Sequence, residues 1–547
     1  MLTFLLLPLY AHGCAAAVAS TFAGAPSSAV YPPPNLPSDH ASAFPDGPQV
    51  GYPGPTPTGD EANVIATAPA MAKIKDMWPL TNPKFVKGAG RDFDVMQHAA
   101  HLSPFNSVDS FGLDTSPQIP KSCSLKQVHL LHRHGARYPT EGAAPAAFSK
   151  KLNAAATADG GFTATKELKF LNTWTYKLGG ETLTPFGRAQ LFNLGVGFRV
   201  RYGELLKGFK RLPVFRTTSQ NRMLESALNF AAGFFGLDYQ KQYHQLITIE
   251  HGTGFNNTLN PQPNCPNGNN AIADYGKAQA RKWADIYLQR TVKRMQKLIK
   301  GSSSLKFEVD DMIAMQQLCA YETVALGYSE FCGLFTKKEW EGFAYFYDLD
   351  FWYRTGPGNP AASAQGIGYV EELVSRLTQT RITECNSSLN CTNVQDDVTF
   401  PLDQPIYVDA THDTAMTEIY TAMNFTSFTA GGPLPTDHIP VNQTYSANKL
   451  SPFAANLVGQ VVACGEDRNT PSHIRWILND GVVPLTGIRG CAADKDGLCS
   501  LPEFINGMRE RIKEVDYRFD CFGNYTVPSP NTIIDGRFPE SLRVTSQ

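Results

Sequence analysis

The chain has 547 residues, 42% of them hydrophobic, and a formal net charge of −2. That length predicts about three domains, or one large domain with insertions, and the apolar content suffices for a large core. The near-neutral balance supplies no field that would gather nucleic acid or an anionic membrane. Neither partner is therefore expected, and any basic cluster must be local.

Residues 1–19 read as a secretory signal peptide: an apolar run at 2–11, then small residues, with Ala17-Val18-Ala19 as a cleavage tripeptide. Residues 20–70 carry Pro32-Pro33-Pro34 and Pro53-Gly54-Pro55-Thr56-Pro57. They hold too little apolar surface to offset ordering and are expected to form a disordered leader. Residues 71–122 are more aromatic and are expected as an arm wrapping the domain surface. No later segment is long and apolar enough to cross a bilayer. Of the eleven cysteines, Cys14 falls in the expected signal peptide, which leaves Cys123, Cys265, Cys319, Cys332, Cys385, Cys391, Cys464, Cys491, Cys499 and Cys521. An even set fits five disulfides in an oxidising compartment; zinc is the rival reading, but no CxxC pair is present. Six Asn-x-Ser/Thr sequons, at Asn256, Asn386, Asn390, Asn424, Asn442 and Asn524, add to the expectation of an exported glycoprotein, secreted or held at the cell wall.

Cys123 opens the first core strand of an α/β domain expected over 123–272. Val128-His-Leu-Leu-His132 reads as buried strand and breaks into Arg133-His134-Gly135-Ala136-Arg137-Tyr138-Pro139. Ala144–Thr157 reads as helix. Thr184 as N-cap with Pro185 at the first turn starts another, running to about Tyr202. Pro213–Thr218 is a short strand feeding the helix Asn221–Phe235, whose apolar positions recur at helical spacing. Leu246–Ile249 is a further apolar strand. From 273 to 381 the pattern is helical, near 273–300, 308–327, 336–349 and 364–380, which predicts an inserted all-helical domain. Strand character returns at Pro405–Asp409, followed by a helix over Thr414–Met423 and a strand at His473–Leu478. Residues 382–547 are thus the second part of the α/β domain and a tail. No internal repeat is found.

The chemistry concentrates at strand ends, where open α/β sheets hold ligands. Arg133 and Arg137 flank His134 at short range, and like charges crowd in this way around a dianion; a phosphate suits the planar arginine fork. A neutral imidazole there can attack phosphorus while the guanidiniums drain charge from the phosphoryl oxygens. The ordinary alternative is a basic surface turn with a chance histidine. A second piece, Arg216-Thr-Thr-Ser-Gln-Asn-Arg222, runs from a strand end into a helix start, which offers N–H groups to anions; the alternative is a solvated helix start. A third piece is His412-Asp413, again after an apolar strand, where an acid could protonate a leaving alkoxide. Asp413 would have to be protonated when substrate binds, which favours an acidic working pH.

Together, Arg133-His134-Gly135-x-Arg137-x-Pro139, the Arg222 element and His412-Asp413 resemble the histidine acid phosphatases, including the fungal phytases, of the phosphoglycerate mutase-like superfamily. The resemblance runs from about Cys123 to Cys521. Phe170–Tyr176 and Gly356-Pro357-Gly358 look most like the acid-optimum branch. It implies an α/β fold with a mixed central sheet flanked by helices and an inserted, smaller all-helical domain walling the cleft. It implies His134 as the nucleophile that becomes phosphohistidine, Asp413 as proton donor, and Arg133, Arg137, Arg222 and His412 around the phosphoryl group. Arg216 would support the turn, and no metal or cofactor is expected. It also implies the pairs Cys123–Cys464, Cys265–Cys521, Cys319–Cys332, Cys385–Cys391 and Cys491–Cys499.

The expected substrates are small phosphate monoesters, with phytate among them at low pH. Glu322 resembles the acidic specificity position of the acid-optimum branch, and with Glu141 would make an acidic rim; the alternative is an exposed helix carboxylate. Lys150 and Lys151 could compensate, or could sit on a solvated helix face. Two other functions share the motifs: a phosphoglycerate mutase-type phosphotransferase, and a non-catalytic glycoprotein that binds phosphorylated ligands. The sequence leaves the oligomeric state open.

Overall fold

The computed structural model describes residues 22–26, 59, 93–236, 238–250, 255–301 and 305–543. The expected signal peptide, most of the leader and the start of the arm lie outside the described residues.

Ten strands are described: β1 (Cys123–Arg133), β2 (Thr163–Ala164), β3 (Val214–Thr218), β4 (His244–Thr248), β5 (Ile299–Lys300), β6 (Ile406–Thr411), β7 (Asn456–Cys464), β8 (His473–Leu478), β9 (Gly481–Val483) and β10 (Cys499–Ser500). Eight form one sheet in the order β10-β8-β7-β1-β6-β3-β4, with β9 on β8. The sheet is mixed. β1, β6, β3 and β4 run parallel, whereas β7 runs antiparallel to β1 and β8 antiparallel to β7. Four parallel strands therefore deliver their carboxyl ends to one edge. Their residues are Arg133-His134, Thr411-His412-Asp413, Thr218 with the approach to Arg222, and Thr248 with the approach to Glu250.

Side chains alternate across β1, so each face meets its own core. Val128 and Leu130 pack with Phe198, Phe215, Phe230 and Phe234. Leu131 belongs instead to the larger core that runs through Trp340, Trp352 and Trp476. The first face is covered by α2 (Pro185–Tyr202) and α3 (Asn221–Phe235). α2 starts as its sequence dictates: the Thr184 hydroxyl accepts from Gly187 N at 3.1 Å and Pro185 takes the first turn. The larger core holds α1 (Ala144–Thr157), α4 (Ala271–Tyr287), α5 (Gln289–Gln296), α6 (Val309–Leu326), α7 (Lys337–Arg354), α8 (Ala362–Thr378), α9 (Asp413–Ala422) and α10 (Leu501–Glu514). The longest helix described, at 18 residues, is shared by α2, α6 and α7, and none is apolar enough to cross a membrane.

Several expectations need correction. The insertion is not wholly helical, because Ile299–Lys300 pairs with Thr163–Ala164. α8 belongs to the sheet layer: Arg376 and Glu372 reach Asp409 of β6 and Arg216 of β3. The leader is ordered at residues 22–26, where Gly24 N donates to Trp174 O at 2.7 Å and Tyr176 N to Ala25 O at 3.1 Å. The described arm lies partly on the surface and partly in the core: Val95, Ala99, Ala100 and Leu102 are at most 2% exposed, whereas most of residues 104–122 are half-buried or exposed. The central strand β7 went unread because it is buried on both faces and shows no alternation.

The ten cysteines pair as Cys123–Cys464, Cys265–Cys521, Cys319–Cys332, Cys385–Cys391 and Cys491–Cys499, the pattern the family resemblance implies. The first closes the antiparallel register of β1 against β7. Asn386, Asn442 and Asn524 have exposed side chains. Three sequons are less open than surface loops would be: the amides of Asn256, Asn390 and Asn424 donate to the carbonyls of Leu389, Asn256 and Gly487.

Candidate active site

The loop after β1 is held by its neighbours. Gly135 N donates to the Ser226 hydroxyl at 3.2 Å and Ala136 N to Gln190 Oε1 at 2.9 Å. A Cβ on Gly135 would lie 2.2 Å from Gly187 O, and one on Gly187 1.9 Å from Ala136 O. Both glycines are required by backbone contact between the loop and the first turn of α2. Beyond them, Tyr138 N donates to Thr182 O and Glu181 N to Pro139 O, each at 2.9 Å, so residues 136–139 and 181–184 run as a short antiparallel pair.

His134 is 1% exposed. Its Nδ1 lies 2.8 Å from Gly135 O, and a carbonyl only accepts, so Nδ1 carries the proton and Nε2 keeps the lone pair. Burial pushes the ring well below the usual histidine range, and Arg133, Arg222, Arg137 and His412 push it further. This ring stays neutral in acid that would protonate an ordinary histidine.

The guanidiniums are each constrained. Arg133 is fully buried, donates to the carbonyls of His101 and Ser451, lies over the Phe453 ring, and pairs with Asp413 at 2.7 Å. Burial first, then Arg137 and Arg222, lower it to about 10, against the pull of Asp413 and Tyr321. Arg137 donates to Tyr138 O at 2.8 Å and to the Tyr321 hydroxyl. Burial lowers it, but Tyr321, Asp413 and Glu181 outweigh that and raise it overall. Arg222 donates to Glu181 at 2.6 Å; burial, then Arg137, bring it down to about 10.

His412 caps α9 and its Nε2 lies 2.9 Å from Glu250 Oε2, with ring centroids 5.8 Å from His134. Burial works to raise Glu250, but His412, Thr218 and Arg222 lower it overall, so it accepts and His412 Nε2 holds the proton. Asp413 accepts from Thr414 N at 2.9 Å. Burial would raise it, yet Arg133, His101, Arg137 and His412 hold it far below the usual carboxylate range. Asp413 is thus held in its ionised form beside Arg133, so the expected role of proton donor requires it to gain a proton when substrate binds.

The structure brings Arg133, His134, Arg137, Arg222, His412 and Asp413 to one place. Glu322 is not at its rim. It is 4% exposed on α6, accepting from Trp174 Nε1 at 2.9 Å and from Ser329 at 2.6 Å, and burial raises it to about 7. Its neighbour Tyr321 reaches the cage instead. The rim idea is corrected by helical geometry: adjacent helix residues point about 100° apart. Lys151 pairs with Asp311 at 2.6 Å, Lys150 is exposed on α1, and Glu141 is exposed. Arg216 lies under the site, bonded to Asp409 and Glu372. Glu181, Glu250, His101 and Tyr321 were not read from the sequence. Glu250 had a signal, since it follows an apolar parallel strand as His134 and His412 do.

Residues 124–479 match the family model described as histidine phosphatase superfamily (branch 2), and the chain belongs to that family. It is a histidine acid phosphatase, a hydrolase of phosphate esters. Phytase A of Aspergillus oryzae is 30% identical over 456 residues, covering 79% of this chain and 93% of that protein. Phytase A of Aspergillus fumigatus is 32% identical over 425 residues, covering 74% and 86%. The crystal structure of the phytase from D. castellii superposes with a TM-score of 0.64 at 25% identity, covering 80% of this chain and 89% of that one. These relatives set aside the phosphotransferase and the non-catalytic binding protein.

Proposed function

We propose that the chain hydrolyses phosphate monoesters, phytate among them, at acidic pH through a phosphohistidine on His134. The observation that carries this reading is an imidazole kept neutral by burial and three guanidiniums, with Nδ1–H fixed on Gly135 O and Nε2 left as nucleophile. Nε2 attacks phosphorus and forms the P–N bond as the P–O bond to the leaving group breaks. Arg133, Arg137, Arg222 and His412 hold the phosphoryl oxygens, which stabilises charge in the transition state. An ester monoanion entering the cage draws Arg133 away from Asp413, whose carboxyl then rises and takes up a proton. That proton passes to the leaving oxygen, a contribution of roughly 10²–10⁴ in rate. Water then attacks phosphorus, gives its proton to Asp413, and returns the electron pair to Nε2.

The three most open sequons, Asn386, Asn442 and Asn524, are the preferred glycan acceptors in this reading. Five disulfides and the apolar start of the sequence support an exported protein acting outside the cell or in its wall. The test is phosphate release from phytate and from a small aryl phosphate, side by side with chelator present, from about pH 2.5 to about pH 7. Release from both in acid is expected. Release from the aryl ester alone removes phytate from the reading, and release from neither removes the reading.

A further inference from the structure

Glu181 has no part in the reaction just described, yet it lies on one of its arginines. Its Oε2 accepts from Arg222 Nη1 at 2.6 Å, and the two side chains are 12% and 11% exposed. Its Oε1 lies 3.3 Å from Glu141 N, and its own N–H donates to Pro139 O. The backbone sits at φ 63°, a conformation that side chains other than glycine and asparagine rarely take. The antiparallel pairing of residues 181–184 with 136–139 fixes where this carboxylate stands relative to the loop that carries His134 and Arg137. A charged acceptor is thus held, at some backbone cost, on a guanidinium that an incoming phosphoryl group also needs.

Its two effects oppose each other. Arg222 lies near Arg137 and Arg133 in a buried cage, and a carboxylate offsets their mutual repulsion and fixes the Arg222 fork. The same carboxylate contests Arg222 with any anion, whether substrate or product. Inorganic phosphate gains most from an unopposed cage, because all of its charge lies on the group the cage grips. On the phosphatase reading above, we propose that Glu181 is a positioning residue that holds Arg222 and limits how tightly the cage retains inorganic phosphate. Substrate affinity is given up so that product leaves.

The substitution Glu181→Gln keeps the shape and an acceptor oxygen but removes the charge. Inhibition by inorganic phosphate should tighten by about two- to fivefold, the scale expected for one partly solvated charge. KM for an aryl phosphate should fall with it while kcat does not rise, and Tm should stay close to that of the parent. Glu181→Asp keeps the charge one methylene short of Arg222 and should show the same shift at smaller size, which serves if the glutamine variant does not fold. An unchanged or weaker phosphate inhibition constant in the folded variant overturns the proposal. So does a fall in kcat and Tm with KM and inhibition unmoved, the mark of a purely structural role. A parent enzyme that releases phosphate from no ester defeats the phosphatase reading itself, so the two failures are distinguishable.

Discussion

Two clusters of buried arginine lie along the same strands. Arg216 and Asp409 sit within β3 and β6; Arg222 and Asp413 lie just beyond the ends of those strands. In the inner cluster every charge is answered. Asp409 accepts from Arg216 and Arg376 at 2.6 Å each, and Glu372 accepts from Arg216 at 2.7 Å and from Thr258 at 2.9 Å. Two cations meet two anions, and Asp409 is held far below the usual range, with burial opposing and the two arginines prevailing. In the outer cluster Arg133 pairs with Asp413 and Arg222 with Glu181, Glu250 holds His412, and Arg137 meets the Tyr321 hydroxyl and a backbone carbonyl with no carboxylate bonded to it. The inner set is closed and ties strands to α8, whereas in the outer set Arg137 has no bonded carboxylate among the described residues. A buried guanidinium without a bonded carboxylate is costly unless something negative arrives, and that open place is what makes the outer set a site.

The sharpest way to break the comparison is to remove one member of each set. His134→Ala in the outer set should leave a folded protein whose kcat falls by about 10⁴-fold or more, measured as phosphate release beside an unchanged circular-dichroism melt. Arg376→Met in the inner set should cost about 3–5 kcal/mol of stability, because it leaves Asp409 short of a buried partner. Denaturant melts would measure that loss, and kcat per folded molecule should change far less than in the histidine variant. Arg222→Ala should raise KM more than it lowers Tm. Equal behaviour of Arg222→Ala and Arg376→Met would erase the distinction between site and scaffold.

Acidity separates the two regions further. Burial raises Asp348, Glu322, Glu371 and Asp520 to about 7 and Glu418 to about 8. An acid whose folded pKa is raised costs nothing below its unfolded value. It destabilises progressively as pH climbs through the folded value. Asp409 and Asp413 are depressed, so their contribution is present above the unfolded value and is lost only in strong acid. Tm should therefore be highest in mild acid and fall from about pH 4.5 to about pH 8. The smallest effect expected is that of Glu322→Gln, which should flatten part of that fall. Because Glu322 is bonded to Trp174 and Ser329 rather than facing the cage, the pH profile of activity should not move.

Much of this was legible in the residues. Strand ends that carry Arg-His-Gly-x-Arg and His-Asp announce their chemistry, and Thr184-Pro185 and the apolar period of Asn221–Phe235 mark helices by local physics alone. What stayed hidden depends on contacts between distant residues. Glu181 and Arg222 are far apart in sequence, and no local pattern shows that one neutralises the other. Glu322 sits at a position that resembles a specificity site, but the face of α6 it occupies is set by packing against Trp174. β7 is buried on both sides and so loses the alternation that marks strands, and the arm at 95–103 becomes core only because the sheet is there to receive it. Glu250 was within reach of the rule that found His412 and was passed over.

Burial and three guanidiniums hold His134 well below the usual histidine range, which would let it take a phosphoryl group in acid where an ordinary imidazole could not. The direct measurement is a single-turnover reaction at about pH 4, well below an ordinary histidine's pKa, with ³²P-labelled aryl phosphate. It is quenched in alkali, where phosphohistidine survives, and mapped by peptide. Label is expected on the peptide carrying His134 within the first turnover, and none in His134→Ala. Rapid alcohol release with no label at His134 would contradict it.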